Sequence, residues 1–296
     1  MSTAVKVESR AKSSASNPAP KRFRGSTIVV TVVAWLIGLT FFIPLLMMVL
    51  TGFHRETEAS LNAPNLFAPL TLDGYREFFG ASSGQSAWPF LINSMLAAVV
   101  STLLVLVLAI PAAYALAVKP VRKWTDVMFF FLSTKFLPAS AGLAPLFIIA
   151  VKIDALNHLW VLIILYVVMN LPVAVWMMRS FLADIPPALF EAASLDGAGL
   201  VKTLTRVVGP IALPGIASTS LICFIFSWNE LLLANLLTST SASQTGPVLL
   251  TGFVTSEGLF LAKVCAAATV VSIPVLIAGF AAQDKLVQGL SLGAVK

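Results

Sequence analysis

Charged residues are what this sequence lacks most. Asp, Glu, Lys and Arg make up 11% of its 296 residues, while 58% are hydrophobic. Soluble domains carry roughly 25% charged residues, and the mean hydropathy here is +0.93. A water-soluble globule is excluded, and helical runs of about 20 apolar residues are expected instead. Cysteine is nearly absent. Cys223 and Cys265 both fall in hydrophobic runs, which excludes a disulfide framework and leaves them as small buried apolar residues. The two histidines, His54 and His158, stand alone near the ends of apolar runs. No His-Glu-x-x-His, Cys-x-x-Cys or nucleophile elbow is present, so neither a metal site nor a catalytic constellation is expected. No phosphate loop ends in Gly-Lys-Ser/Thr. The nearest stretch, Gly80 to Ser86, lacks the lysine, so the chain itself should neither bind nor hydrolyse ATP. Acidic residues are fewer than basic ones, 13 against 19, for a net charge of +6. That excess follows from where the basic residues sit and does not call for nucleic acid.

What is present is a series of apolar runs with polar punctuation. Residues 1–26 are rich in Ser, Ala, Lys and Arg and read as a disordered tail. The run after them, Thr27 to Phe53, is too long for a signal-peptide core of roughly 7–15 residues and fits an uncleaved first span. Further spans are expected over about 88–118, 125–151, 159–178, 211–237 and 259–282, giving an all-α integral membrane protein with six transmembrane helices. Residues 54–87 read as a loop with a short helix near Tyr75 to Phe79, residues 179–210 as a second loop, and 283–296 as a short tail. Fourteen of the 19 Lys and Arg lie in the N-terminal tail, the 119–123 loop, the 179–210 stretch and the C-terminal tail; Arg55, Arg76 and Lys152 lie on the other side. The positive-inside bias therefore places both termini and residues 179–210 in the cytoplasm. Proline punctuates every span: Pro44, Pro111, Pro138 with Pro145, Pro172, Pro214 and Pro274. Bent helices around a pathway and the ordinary enrichment of proline in membrane helices both account for it.

Polar groups at membrane depth are expensive and face a cavity or a partner. Lys135 lies within the third span and Glu230 late in the fifth, in Ser227-Trp228-Asn229-Glu230. Lys135, Trp228, Asn229 and Glu230 can line or support a hydrophilic route, with the indole stacking on a sugar ring and the amide and carboxylate bonding hydroxyls. Equally, Lys135 and Glu230 can be structural, pairing within the chain or with a partner. The stretch Glu191 to Pro214 is the one long non-lipid-like segment of the second half. It reads as a short helix capped by Asp184, with Pro186 and Pro187 in its first turn and a left-handed Gly197 at its end. Ala192 and Ala193 permit close docking, and an amphipathic piece from Leu200 to Val208 stops at Pro210. A docking element for a soluble partner and an amphipathic loop on the membrane surface both fit.

The order Glu191-Ala192-Ala193, three residues, Gly197, nine residues, Val207-Val208-Gly209-Pro210 resembles the cytoplasmic coupling-loop signature of bacterial ABC importer permeases. Val207 replaces an Ile of that pattern, and Gly209 departs from its usual Leu. Asn93-Ser94, Ile110-Pro111-Ala112-Ala113-Tyr114-Ala115, Ser227-Trp228-Asn229-Glu230 and the terminal Leu286 to Lys296 resemble the carbohydrate branch, in particular the smaller permease of maltose-type transporters; Gln288 stands where Arg is common.

This resemblance, covering about residue 27 to the end, implies a type I importer permease in the bacterial inner membrane. It implies a homologous second permease, two cytoplasmic ATPases carrying ATP and Mg, and a periplasmic substrate-binding protein. It assigns ATPase coupling to Glu191, Ala192, Ala193, Asp196, Gly197 and Pro210, with alternating access as the mechanism. It brings Gly246, Pro247 and Gly252, in the loop from Thr238 to Gly258, against the binding protein. The substrate implied is a sugar, sugar alcohol or sugar derivative. A stand-alone secondary transporter or channel using Lys135 and Glu230 is the rival reading, opposed by the absence of an inverted hydropathy repeat.

Overall fold

A computed structural model of the chain describes residues 24–60, 68–80, 86–119, 121–136, 139–255 and 258–294; the expected tail, apart from Arg24 to Ser26, lies outside them. The chain divides into two compact units, Met1–Leu46 and Met47–Lys296. Helix α1 (Arg24–Gly52) supplies the described part of the first, as far as Leu46, and its side chains from Thr27 to Leu46 are all exposed, as suits a lipid-facing apolar helix.

The second unit is helical as expected. In chain order it holds α2 (Glu56–Ala59), α3 (Asp73–Phe78), α4 (Trp88–Val118), α5 (Trp124–Ser133), α6 (Ala139–Lys152) and α7 (Leu159–Ala183). Next come α8 (Pro187–Leu195), α9 (Leu200–Lys202), a π-helical turn over Thr203–Val208, α10 (Gly209–Ile211) and α11 (Leu213–Trp228). Then follow α12 (Leu232–Leu237), α13 (Gly246–Thr251) and α14 (Leu261–Ala294). Two residues on each of β1 (Val254–Thr255) and β2 (Gly258–Leu259) pair antiparallel between α13 and α14.

The pair α4 and α7 is the most extensively packed, and α11 packs on both and on α14. The sequence explains this. Along α4, Ala97, Ser101, Val105, Ala109 and Ala113 recur at every fourth position and are 0% exposed. Along α7, Leu162, Tyr166, Asn170, Ala174, Met178 and Leu182 do the same at 0–1% exposure. Residues four apart share a helix face, and small side chains let two membrane helices approach closely enough for dispersion to hold them. The third helix comes equally near. A Cβ on Gly215 of α11 would lie 2.5 Å from Cγ of Phe181 on α7.

Among the described residues, four helices are long and apolar enough to cross a membrane, and two further bent pairs raise this to six. The expected third span is not straight: α5 and its 3-10 extension (Thr134–Phe136) meet α6 at 88°. Leu137 and Pro138 at that break lie outside the described residues. The expected fifth span begins at Leu213, after an 87° turn at Ala212, and is interrupted over Asn229–Leu231 before α12. Pro214 explains the turn, because it cannot donate to the carbonyl of Pro210 four residues back. The helix therefore passes Pro210, where a stop was expected, and breaks two residues later. The fourth span runs five residues beyond the expected Met178, because Arg179 is held over the Trp124 ring at 3.3 Å and does not leave the helix. The expected C-terminal tail is a helical continuation of α14 to Ala294.

Candidate functional site

Three places gather the polar chemistry. The first is the segment from α8 to α10, at the end of the bundle where α4 and α7 finish. Asp184 does not cap α8: it ends α7, and Pro186 precedes α8 without a side-chain cap. Proline at the first helical position has no N–H to satisfy, so a cap is less needed there. The end of α8 is a Schellman motif. Gly197 is left-handed (φ +69°), its N–H donates to Ser194 O at 3.1 Å, and Ala198 N–H donates to Ala193 O at 3.0 Å.

Glu191 and Ala192 on α8 and Asp196 at its C-terminal end are exposed, while Ala193 is buried. The buried side is carried by Phe190, whose ring meets Tyr114 of α4 edge-on at 5.7 Å. Lys119 Nζ lies over the Tyr114 ring, 5.9 Å from its centre. Met178, Leu182, Ile185, Val208 and Ala212 complete one apolar cluster, so α8 and the π turn are packed onto the ends of α4, α7 and α11. A cleft of about 460 Å³ opens between Lys119, Glu191, Ser194 and Thr203. Gly209 has a role the sequence pattern does not reveal. Its N–H reaches Leu204 O, five residues back, closing the π turn, and a Cβ there would lie 3.3 Å from the same oxygen.

The second place is a cleft of about 850 Å³ at membrane depth, lined by Lys135, Asn229 and Glu230 together with Phe129, Phe136 and Phe226. Lys135 Nζ donates to Met169 O at 2.6 Å. That carbonyl lies three residues before Pro172, in the turn a proline disrupts. Glu230 accepts from the N–H groups of Leu233 (2.9 Å) and Ala234 (3.2 Å) and from Tyr166 OH (3.2 Å), so it caps α12 and ties it to α7. Trp228 does not line the cleft. It is 1% exposed, stacked on Phe224, and its indole N–H donates to Val271 O of α14 at 3.0 Å. Behind the cleft, Ser227 Oγ joins α11 to α4 through Ser101 Oγ (3.1 Å) and to α7 through Asn170 Nδ2 (2.9 Å). The phenylalanines on the cleft were invisible to sequence reasoning, because the break before α6 decides which face of α5 is turned to it.

The third place is the opposite end, where α13 carries Gly246, Pro247 and, just beyond it, Gly252. Gly246 is buried and donates its N–H to Ser94 Oγ at 2.8 Å. Asn93 Nδ2 donates to Ser241 O (3.0 Å) and Gln244 O (2.9 Å), so the Asn93-Ser94 pair moors this loop to the start of α4. Asn157, not singled out in the sequence, holds the other side. Its Oδ1 accepts from the N–H groups of Ser239 and Thr240, both at 3.0 Å, from a left-handed backbone (φ +62°). Asn tolerates that conformation, and a short polar connection holding Asp154 and Asn157 was the available signal.

The model of the family described as binding-protein-dependent transport system inner membrane component matches residues 106–291. A probable ABC transporter permease protein, y4oR of Sinorhizobium fredii, is 36% identical over 261 residues, covering 88% of this chain and 92% of that protein. The diacetylchitobiose uptake system permease protein DasC of Streptomyces coelicolor is 32% identical over 267 residues, covering 90% of this chain and 95% of that protein. Among solved structures, the crystal structure of a bacterial ABC transporter involved in the import of the acidic polysaccharide alginate superposes with a TM-score of 0.72 at 21% identity. That superposition covers 90% of this chain and 100% of the other.

Proposed function

We propose, from the premise that this chain belongs to the family of binding-protein-dependent transport system inner membrane components, that residues 191–210 transmit ATP-driven movement to a sugar path walled by the Lys135–Glu230 cleft. The chain is a multi-pass inner-membrane permease of a sugar ABC importer. Its family is the permease component and not the ATPase, and such an importer works with a partner permease, ATPase subunits and a binding protein. Family membership sets aside the stand-alone transporter or channel.

The finer assignments are our reading. Both termini and α8 lie in the cytoplasm. The partner permease is a homologue that closes the open side of the cleft. Two ATPase copies bind ATP and Mg, and one receives α8. Glu191 and Asp196 offer charge to a basic groove, the small Ala192 beside Glu191 permits close approach, and Gly197 turns the chain back. Gly246, Pro247 and Gly252 lie on the face that meets a periplasmic binding protein.

The observation that carries this reading is the apolar joint from Phe190 through Tyr114 to α4, α7 and α11. A docking helix can act on a membrane domain only if its contacts differ between two states of its partner and it is firmly attached to what must move. The test is co-purification of the wild-type chain and Glu191→Ala with the neighbouring subunits in mild detergent, followed by ATPase and uptake assays. Wild type should bring a second permease and an ATPase, and Glu191→Ala should lose the ATPase or uncouple it. A wild-type chain that purifies alone and transports would overturn the assignment.

A further inference from the structure

The cleft holds an ammonium that no carboxylate among the described residues touches. An ammonium has three donors, and Lys135 uses one of them on Met169 O. Two donors and the full charge remain, on a residue that is exposed toward the cleft. Glu230 lines the same cleft, but its two oxygens already serve three donors: Leu233 N, Ala234 N and Tyr166 OH. Among the described residues no Asp or Glu oxygen lies within 4.0 Å of Lys135 Nζ. The aromatic lining around it, Phe129, Phe136 and Phe226, offers no compensating charge. Neutral donors do not cancel the charge of Glu230, but that carboxylate makes no contact with Lys135, and an ammonium without a contact counter-ion beside aromatic walls is a seat for an anion.

We propose that this cleft selects sugars bearing one anionic group, a carboxylate or sulfonate, by seating that group on Lys135. The proposal rests on the reading that the cleft lines the translocation path. Phe129, Phe136 and Phe226 offer flat apolar faces to the C–H side of a sugar ring. Asn229 keeps its carbonyl oxygen and one amide hydrogen for hydroxyls, its other hydrogen being held by Ile225 O at 2.9 Å. A neutral sugar would fill the space but leave the ammonium stripped of water and unanswered. An anionic one supplies the counter-charge, and the low-dielectric walls strengthen the pair. Charge of the opposite sign is disfavoured at the same point, so selection works in both directions.

The experiment uses the assembled importer in proteoliposomes with matched pairs of uronate and neutral mono- and disaccharides as probes. Uptake is measured for wild type, Lys135→Gln and Lys135→Arg. The expected result is at least tenfold faster uptake of a uronate than of its neutral partner in wild type. Lys135→Gln should lose that tenfold preference, read as the ratio of uronate to neutral uptake in the same variant, and Lys135→Arg should retain it. Wild-type preference for neutral sugars overturns the inference and leaves the importer reading standing. So does equal loss of both probes in Lys135→Gln, which would make Lys135 a partner of an acidic residue on the second permease. ATP hydrolysis with no uptake of any sugar would instead overturn the importer reading beneath it.

Discussion

Replacing Phe190 with Ala tests whether α8 drives the bundle or merely lies against it. Full deletion of a buried Phe side chain costs about 3–5 kcal/mol. Phe190 is only partly buried against the cluster of Tyr114, Met178, Leu182, Val208 and Ala212, so Phe190→Ala should cost roughly half of that, about 1.5–2.5 kcal/mol. Of this, about 0.5–1.5 kcal/mol belongs to the edge-on pair with Tyr114 and should appear as a coupling term in a cycle with Tyr114→Ala. The energy is stored between α8 and α4, not within either helix. The loss should therefore show as slippage: ATP hydrolysis by the assembled importer persists while uptake per ATP falls several-fold. Chemical unfolding in detergent gives the stability term, and parallel ATPase and uptake measurements in proteoliposomes give the ratio. Full destabilisation with an unchanged uptake-to-ATP ratio would refute the lever argument, because the joint could then loosen without consequence. A coupling term near zero would refute the assignment of the contact itself.

Other sites give independent tests. Gly215→Ala drives a Cβ to 2.5 Å from Phe181 and should cost about 1–3 kcal/mol of stability as an overpacked contact, read as a lower thermal midpoint; an unchanged midpoint would mean α7 and α11 are not held so closely. Ser227→Ala removes the hydroxyl shared by Ser101 and Asn170 and should cost about 1–3 kcal/mol through the buried polar groups left unpaired; a stabilised variant would count against that network. Asn157→Ala frees the N–H groups of Ser239 and Thr240, at about 1 kcal/mol each. It should speed hydrogen exchange over 239–244 with no change in the α4–α7 core, and uniform protection would show that the loop is held by other means. Glu230→Ala uncaps α12 at a cost of about 0.5–2 kcal/mol, and the preference of Lys135→Arg for anionic probes should survive in that background.

The apolar runs were legible because lipid imposes composition on every helix it touches, and Trp88–Val118 was bounded by Ala-Trp-Pro at one end and Lys119-Pro120 at the other. The ladder of small residues on α4 was legible in principle, being a plain repeat of four. What sequence could not carry was the direction of the chain at its breaks. The 88° bend before α6 and the interruption over Asn229–Leu231 lie inside runs apolar enough overall to read as single spans, and the polar residues beside them, Lys135 and Asn229-Glu230, mark a cost but not the direction in which the axis turns. Trp228 was misjudged for the same reason. Polar neighbours suggested a wet environment, but one step along a helix is about 100° of rotation, which turns Trp228 to α14 while Asn229 faces the cleft. Asp184 looked like a cap because its residue type is right, yet Pro187 at the first helical position leaves less for a cap to do.

The breaks lie where rigid and adjustable parts must meet. The fourfold ladders of α4 and α7 run without interruption from Ala97 to Ala113 and from Leu162 to Leu182. A core packed that densely is bistable at best and does not deform gradually, so these two helices must move as one body. Relative movement then has to be taken up elsewhere, where the helices are interrupted. Ala212, with a proline on either side at Pro210 and Pro214, is one such position. The Asn229–Leu231 break, bridged by the Glu230 carboxylate, is another. The two flank α11, which carries Ser227 at the centre of the polar contacts to α4 and α7. A push on α8 and the π turn enters at Ala212, and α11 can rotate about Ser227 only if its far end yields at Glu230, beside the cleft that holds Lys135. Stiffening that far end by Asn229→Ala, which favours continuous helix and also removes one amide from the cleft wall, should therefore slow uptake while leaving ATP binding unchanged. Wild-type uptake in this variant would mean that α11 moves with α4 and α7, and that the hinge lies in α5 and α6 instead.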